Sequence, residues 1–142
     1  MLNNASVNAS FENIDFTRHS QSHMFRAVQE GIAFAFRYGL DIMAGMDIRP
    51  GVIRAAHTNM FLSPVFTSTL ANLASVSIEL YNTNGATGAA LGAGLGAGIY
   101  SSANEAFGNL KCISRIYPGK DQEIITACYH QWEKLIRTKL LK

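Results

Sequence analysis

Apolar residues recur every three or four positions from Phe25 through Val28, Ile32 and Phe36 to Leu40, with Ala33 and Ala35 filling in. This spacing predicts a helix of roughly five turns with a wide apolar face. Ser20 or Ser22 is placed to cap it, and Gly39, Gly45 and Pro50 punctuate its end and the loop beyond. Gly31 interrupts the helix at a cost of about 1 kcal/mol relative to Ala, which implies close approach by another backbone. Upstream, Ser10–Phe16 alternates weakly and predicts a short strand. Downstream, Gly51–Ala56 is a short apolar run that predicts a buried strand ending at His57-Thr58-Asn59. Ser63-Pro64 supplies a cap and a first-turn proline for a helix carrying Val65, Thr69, Leu70 and Leu73. Ser77–Tyr81 predicts another strand, and Asn82-Thr83-Asn84-Gly85 is turn chemistry. After the breaker Tyr117-Pro118-Gly119, Ile124, Ile125, Cys128, Trp132, Leu135 and Ile136 form the stripe of a helix from Asp121 to about Leu141. Strands alternating with helices predict an α/β layered fold with at least one parallel strand pair.

Between these elements lies a segment, Leu80 to Asn104, without a charged residue. A membrane-spanning helix needs about 20 strongly apolar residues. Gly, Ala, Asn, Thr and Ser dominate here, so a membrane span is not expected. Gly88, Gly92 and Gly96 are spaced by four, as are Leu91, Leu95 and Ile99. On a helix they form one bare and one aliphatic ridge. Several interior glycines cost a helix roughly 3–5 kcal/mol, and tight packing against a sheet is the expected compensation.

Composition narrows the function classes. The 142 residues suffice for one domain, and 48% are hydrophobic while only 15% are charged. That excludes a disordered chain and implies extensive buried surface, part of it against another body. A net charge of +2 with dispersed basic residues, apart from a loose C-terminal group (Lys134, Arg137, Lys139, Lys142), gives no sign of nucleic-acid binding. Cys112 and Cys128 are the only cysteines and show no CxxC spacing. They read as reduced thiols of a cytoplasmic protein, and the polar N-terminus lacks the pattern of a secretory signal.

Local chemistry offers no complete active site. Gly92–Ala97 fits a dinucleotide-binding GxGxxA, but the strand that should precede it directly ends some ten residues earlier. A phosphate-binding loop fails because Gly119-Lys120 is followed by Asp121 and position 114 is Ser. His19 and His23 can share a helix face, yet no third ligand is near, so they are expected to be exposed or capping rather than metal-bound. There is no nucleophile elbow and no carboxylate pair at acid/base spacing.

Three motifs carry a resemblance. His23-Met24-Phe25-Arg26-Ala27-Val28-Gln29-Glu30-Gly31-Ile32-Ala33-Phe34-Ala35-Phe36-Arg37 resembles the Arg-Ala-x-x-Glu-Gly-x-Ala-Phe helix of the FGGY sugar kinases. Ile53-Arg54-Ala55-Ala56-His57-Thr58-Asn59 with Ser63-Pro64-Val65-Phe66 resembles their adenosine motif, and Gly88–Ala93 their Gly-Ala-Ala helix. The motifs stand in family order over roughly residues 5–105, and within the family the resemblance is to bacterial xylulose kinases. It implies a partial actin-like (ribonuclease-H-like) nucleotide-binding domain, namely the C-terminal part of the second, ATP-binding-side domain, spanning residues 1–142. Met1–Asn4 resembles an internal stretch of a longer kinase.

The implied activity of a complete enzyme is transfer of the γ-phosphoryl of ATP, carried with Mg, to a sugar hydroxyl. The adenosine side of the cleft would be formed by Ala55, Ala56, His57, Thr58 and Asn59. The family's catalytic Asp and phosphate hairpins belong to regions not matched here, so no catalytic or metal residue is assigned and the isolated chain is expected to be inactive. Where the family carries consecutive glycines, this chain has Ala55-Ala56-His57, and about three extra residues precede Ser63-Pro64. The resemblance further implies a sheet ordered 3-2-1-4-5, with Ser10–Phe16, Val52–Ala56 and Ser77–Tyr81 as strands 3, 4 and 5. The last two would pair in parallel, strand 4 would keep an open edge, and Phe25, Phe34 or Phe36 would be exposed. The rival reading is a non-catalytic α/β fragment acting through association with another chain, either the kinase's N-terminal domain or a second copy.

Overall fold

The computed structural model describes residues 8–140. Met1–Asn4 and the end of the last helix at Leu141 therefore lie outside the described residues. In chain order the elements are α1 (Gln21–Ala44), β1 (Val52–Ala56), a short 3₁₀ turn (Asn59–Leu62), α2 (Pro64–Ala74), β2 (Ser77–Tyr81), α3 (Gly85–Gly96), α4 (Ala103–Phe107), β3 (Cys112–Ile116) and α5 (Gln122–Leu140). The expected α/β class is correct. Among the described residues one sheet has the order β1-β2-β3. β1 and β2 pair in parallel from Val52↔Ser77 to Ala56↔Tyr81, as expected for two strands joined through a helix. β3, which the sequence did not announce, pairs antiparallel with β2.

α2 organises the core. Ser63 caps it, its side chain accepting the Phe66 N–H at 3.3 Å, and proline occupies the first turn. Phe66, Leu70, Ala71 and Leu73 are buried, with Ile78 and Leu80 of β2, Ala33 and Phe34 of α1, and Ile125 and Tyr129 of α5 in the same cluster. Asn72 is buried within this helix and its Oδ1 accepts the Gly119 N–H at 2.6 Å, fixing the turn that starts α5. Tyr129 donates its hydroxyl to Asp41 at 2.5 Å, Arg37 binds Asp41 at 2.8 Å and the Leu73 carbonyl, and the Arg37 guanidinium lies 5.8 Å from the Tyr129 ring centroid. This network joins α1, α2 and α5.

Four local expectations change. Ser10–Phe16 is not a strand: among the described residues no strand pairs with it, and its end is a turn in which the Arg18 and His19 N–H groups donate to the Asp15 carbonyl. Instead Glu12 pairs with Lys139 of α5 at 2.6 Å. α1 runs through Gly39 and is one turn longer than its apolar spacing implied. Neither Gly31 nor Gly88, Gly92 or Gly96 has any atom within 4 Å of where a Cβ would stand, so no backbone or sheet packs against these glycines. Gly94 is the glycine of α3 that is closely packed, with the Tyr100 ring 2.7 Å from its Cβ position. His19 and His23 behave as capping groups: their Nδ1 atoms accept the Asp15 and Ser20 N–H groups at 3.0 and 3.1 Å.

Candidate functional site

β1 and β2 run in the same direction, so their C-terminal ends open side by side, the place where α/β sheets accept ligands. A cleft of about 750 Å³ lies there. Arg54, Ala55 and Ala56 line it from β1, Tyr81 and Thr83 from β2 and its turn, and Asn84, Gly85 and Gly88 from the start of α3. Ala103, Asn104, Phe107, Gly108 and Leu110 close the opposite wall. The volume matches a small-molecule site.

Each wall has a local cause. Asn84 is extended and its Oδ1 accepts the Thr87 N–H at 2.9 Å, which starts α3 at the cleft. With no Cβ at Gly85 and Gly88, that wall is flat. Ser102 caps α4 by accepting the Glu105 N–H at 3.2 Å. Gly108 ends α4 where a Cβ would come within 2.4 Å of the Asn104 carbonyl, so no larger residue fits. The polar face beside the cleft is organised by Glu79, whose side chain is 12% exposed. It accepts from Tyr81 at 2.8 Å, Arg54 at 3.0 Å and Arg115 at 3.1 Å. The Tyr81 hydroxyl and the two guanidiniums hold the Glu79 carboxyl below the usual carboxylate range, and Arg54 is held charged above its ordinary value by Glu79.

Of the five residues singled out from sequence, Ala55 and Ala56 line the cleft, whereas His57, Thr58 and Asn59 form the turn leaving β1 and are not part of its lining. The His57 N–H donates to the Tyr81 carbonyl at 3.0 Å and the Thr58 N–H to the Ala56 carbonyl at 2.9 Å. The left-handed residue of this turn is Asn59, with φ 53°, while Ala55 and Ala56 remain in the strand. Asparagine tolerates that conformation, so Ala55 and Ala56 carry no backbone strain here. The sequence reading missed Thr83, Asn84, Gly85, Gly88, Asn104, Phe107 and Leu110 as a wall set. The Asn82–Gly85 turn signal pointed to the first three; nothing local marks the last three.

The cleft has no carboxylate or histidine in its lining. Among the described residues no group of three or more His, Cys, Asp or Glu could hold a metal ion, and no helix is long and apolar enough to cross a membrane.

No protein-family model matches the chain, and no curated protein matches it by sequence. The fold, however, is similar to that of xylulose kinase from Rhodospirillum rubrum, with a TM-score of 0.78 and 22% identity over 95% of this chain. The chain spans 28% of that kinase's length. The likeness shows that these residues take the fold of part of a sugar kinase, as the sequence motifs implied.

Proposed function

We propose that this chain forms the adenosine-side wall of an ATP-dependent sugar kinase of xylulose kinase type, the C-terminal part of its second domain. The observation that carries the reading is the 750 Å³ cleft at the C-terminal ends of the parallel pair β1 and β2, in a fold similar to part of such a kinase. The lining suits a nucleoside. Ala55, Ala56, Phe107 and Leu110 offer apolar contact for a base, Gly85 and Gly88 leave room for a flat ring, and Arg54 supplies one positive charge. Asn104 lines the same cleft, and its side-chain amide would read a base edge.

ATP would supply the transferable phosphoryl group to a sugar hydroxyl in the complete enzyme. Mg finds no ligand set in this wall, since no carboxylate lines it, and would be held elsewhere. The chain's own work is binding and orienting adenosine and excluding water from it. The base that takes the sugar proton would come from a part of the kinase outside this match, so the isolated chain is a binding wall, in a cytoplasmic enzyme.

Calorimetry with ADP tests this. Saturable binding that Gly88→Leu abolishes, with an unchanged circular dichroism spectrum, is expected, because the leucine would fill the cleft from an open position. Binding that is unaffected by Gly88→Leu refutes the placement. Xylulose and Mg-ATP should give no turnover at any concentration of the isolated chain.

A further inference from the structure

β2 alternates between two environments. Ile78 and Leu80 are buried in the core, so Glu79 and Tyr81 stand on the other face of the sheet. The cross-strand register sets Arg54 of β1 and Arg115 of β3 on either side of Glu79. Both carboxylate oxygens are used. One accepts the Tyr81 hydroxyl at 2.8 Å and the Arg54 Nε–H at 3.0 Å, and the other lies 3.1 Å from Arg115 Nη2. The two guanidiniums are largely exposed, whereas the carboxylate they brace is 12% exposed.

Tyr81 and Arg54 line the cleft, and Glu79 does not. The carboxylate therefore acts on the site through its neighbours. Tyr81 is one of two aromatic residues in the lining. The other, Phe107, comes from α4 on the opposite wall. Aromatic side chains on facing walls suit a flat heteroaromatic ring, which binds by stacking. Gly85 and Gly88, without Cβ atoms, leave the adjoining wall bare.

A tyrosine ring turns about two side-chain torsions, and its far end swings unless something holds it. Here the hydroxyl is held by a carboxylate that is itself tied to β1 and β3. A hydrogen bond to an ionised acceptor is shorter and stronger than a neutral one. The ring is thereby fixed before a ligand arrives, which lowers the ordering cost of binding. Because the phenol proton is spent on Glu79, the ring face is what Tyr81 offers the cleft.

We propose that Glu79 is a positioning residue of the cleft: it holds the Tyr81 ring, by its hydroxyl, as the aromatic face that a purine base meets opposite Phe107. This rests on the adenosine reading of the cleft. It adds the side chain that receives the base and the one that steadies it.

Calorimetry of the full chain with adenosine tests this. Adenosine carries no charge, so loss of the Glu79 charge has little direct effect on it. Glu79→Ala should weaken binding about fivefold, the worth of one hydrogen bond, and Tyr81→Phe by a similar factor. The double variant should be no weaker than either alone, because both substitutions remove the same contact. Glu79→Gln should restore most of the affinity, since its amide oxygen accepts the Tyr81 hydroxyl as the carboxylate does. Unchanged affinity in Tyr81→Phe overturns the proposal, whether or not Glu79→Ala folds. So do losses that add in the double variant, or a Glu79→Gln as weak as Glu79→Ala. If the unsubstituted chain binds neither adenosine nor ADP, the adenosine reading fails and the proposal falls with it. Binding that survives both substitutions refutes the proposal alone.

Discussion

Gly92→Ala should stabilise the isolated chain, although the sequence alone would assign the glycine a packing role. Gly92 is interior to α3, and its Cβ position has nothing within 4 Å. The substitution therefore meets no clash. It removes backbone freedom from the unfolded chain and improves helix propensity, worth about 0.8–1 kcal/mol. For a domain of this size that raises the melting temperature by about 3–5 °C. Gly94→Ala is the internal control. Its Cβ would stand 2.7 Å from Tyr100 Cε2, so the Tyr100 ring must leave the contact that covers Gly94. The propensity gain is offset by lost packing, and net destabilisation of about 1 kcal/mol is expected. Urea unfolding followed by dichroism measures both, with the slope checked for constancy. If Gly92→Ala destabilises the chain, the bare ridge is packed in the folded state and the account of α3 given above is wrong. A stabilising Gly94→Ala would equally remove the argument that Tyr100 selects glycine.

Tyr129→Phe should cost about 1–2 kcal/mol. The Tyr129 ring stays buried but its 2.5 Å bond to Asp41 is lost, while Asp41 keeps Arg37 and 39% exposure. Burial and Asp41 push the Tyr129 phenol up, so its folded state favours the neutral form. That contribution is complete below pH about 10 and is lost as pH rises further, so the difference between the two proteins should shrink in alkaline melts. Glu79 has the opposite sign. Its folded value is depressed by Tyr81, Arg54 and Arg115, so its contribution is present above the ordinary carboxylate range and is lost as pH falls through the folded value. Glu79→Gln should flatten the acid limb of a plot of stability against pH; an unchanged limb would show that these exposed arginines add nothing.

What the sequence made legible depended on whether a pattern needed a partner to be interpreted. Gly51–Ala56 and Ser77–Tyr81 were readable as a parallel pair because short apolar runs joined by a capped helix leave that pairing as the economical solution, although the first strand starts at Val52 and, against expectation, has no buried residue. Ser10–Phe16 has comparable alternation but no neighbour, and without one its backbone turns on itself around Asp15. β3 shows the converse. Four of its five residues are exposed, so no alternation marks it, and its strand character comes from β2. The cleft divides in the same way: Asn84 and Gly85 carry turn and cap signals, whereas Asn104, Phe107 and Leu110 are brought opposite them only by the fold.

α1 is the most instructive case, because its period was legible but which side of it is buried was not. Apolar recurrence at Phe25, Val28, Ile32 and Phe36 marks a face that is to be covered, and a single sequence supplies the nearest candidate, the chain's own core. The fold instead brings Arg37 and Asp41 against the other helices, where Asp41 holds Tyr129 and Arg37 reaches the Leu73 carbonyl, while Arg26 stays largely exposed in its pair with Glu30. Phe34 stays inside against Tyr129 and Trp132, while Phe25 and Phe36 remain substantially exposed, two of the three phenylalanines for which exposure was expected. Two kinds of face therefore coexist on one helix. The charged one carries two ion pairs along the helix, and the uncharged one packs Phe36 on Phe61 and Phe66 while leaving Phe25 and Val28 about half exposed. That grouping of half-exposed apolar side chains on one helix face is what separates it from singly scattered surface hydrophobes, which need no explanation.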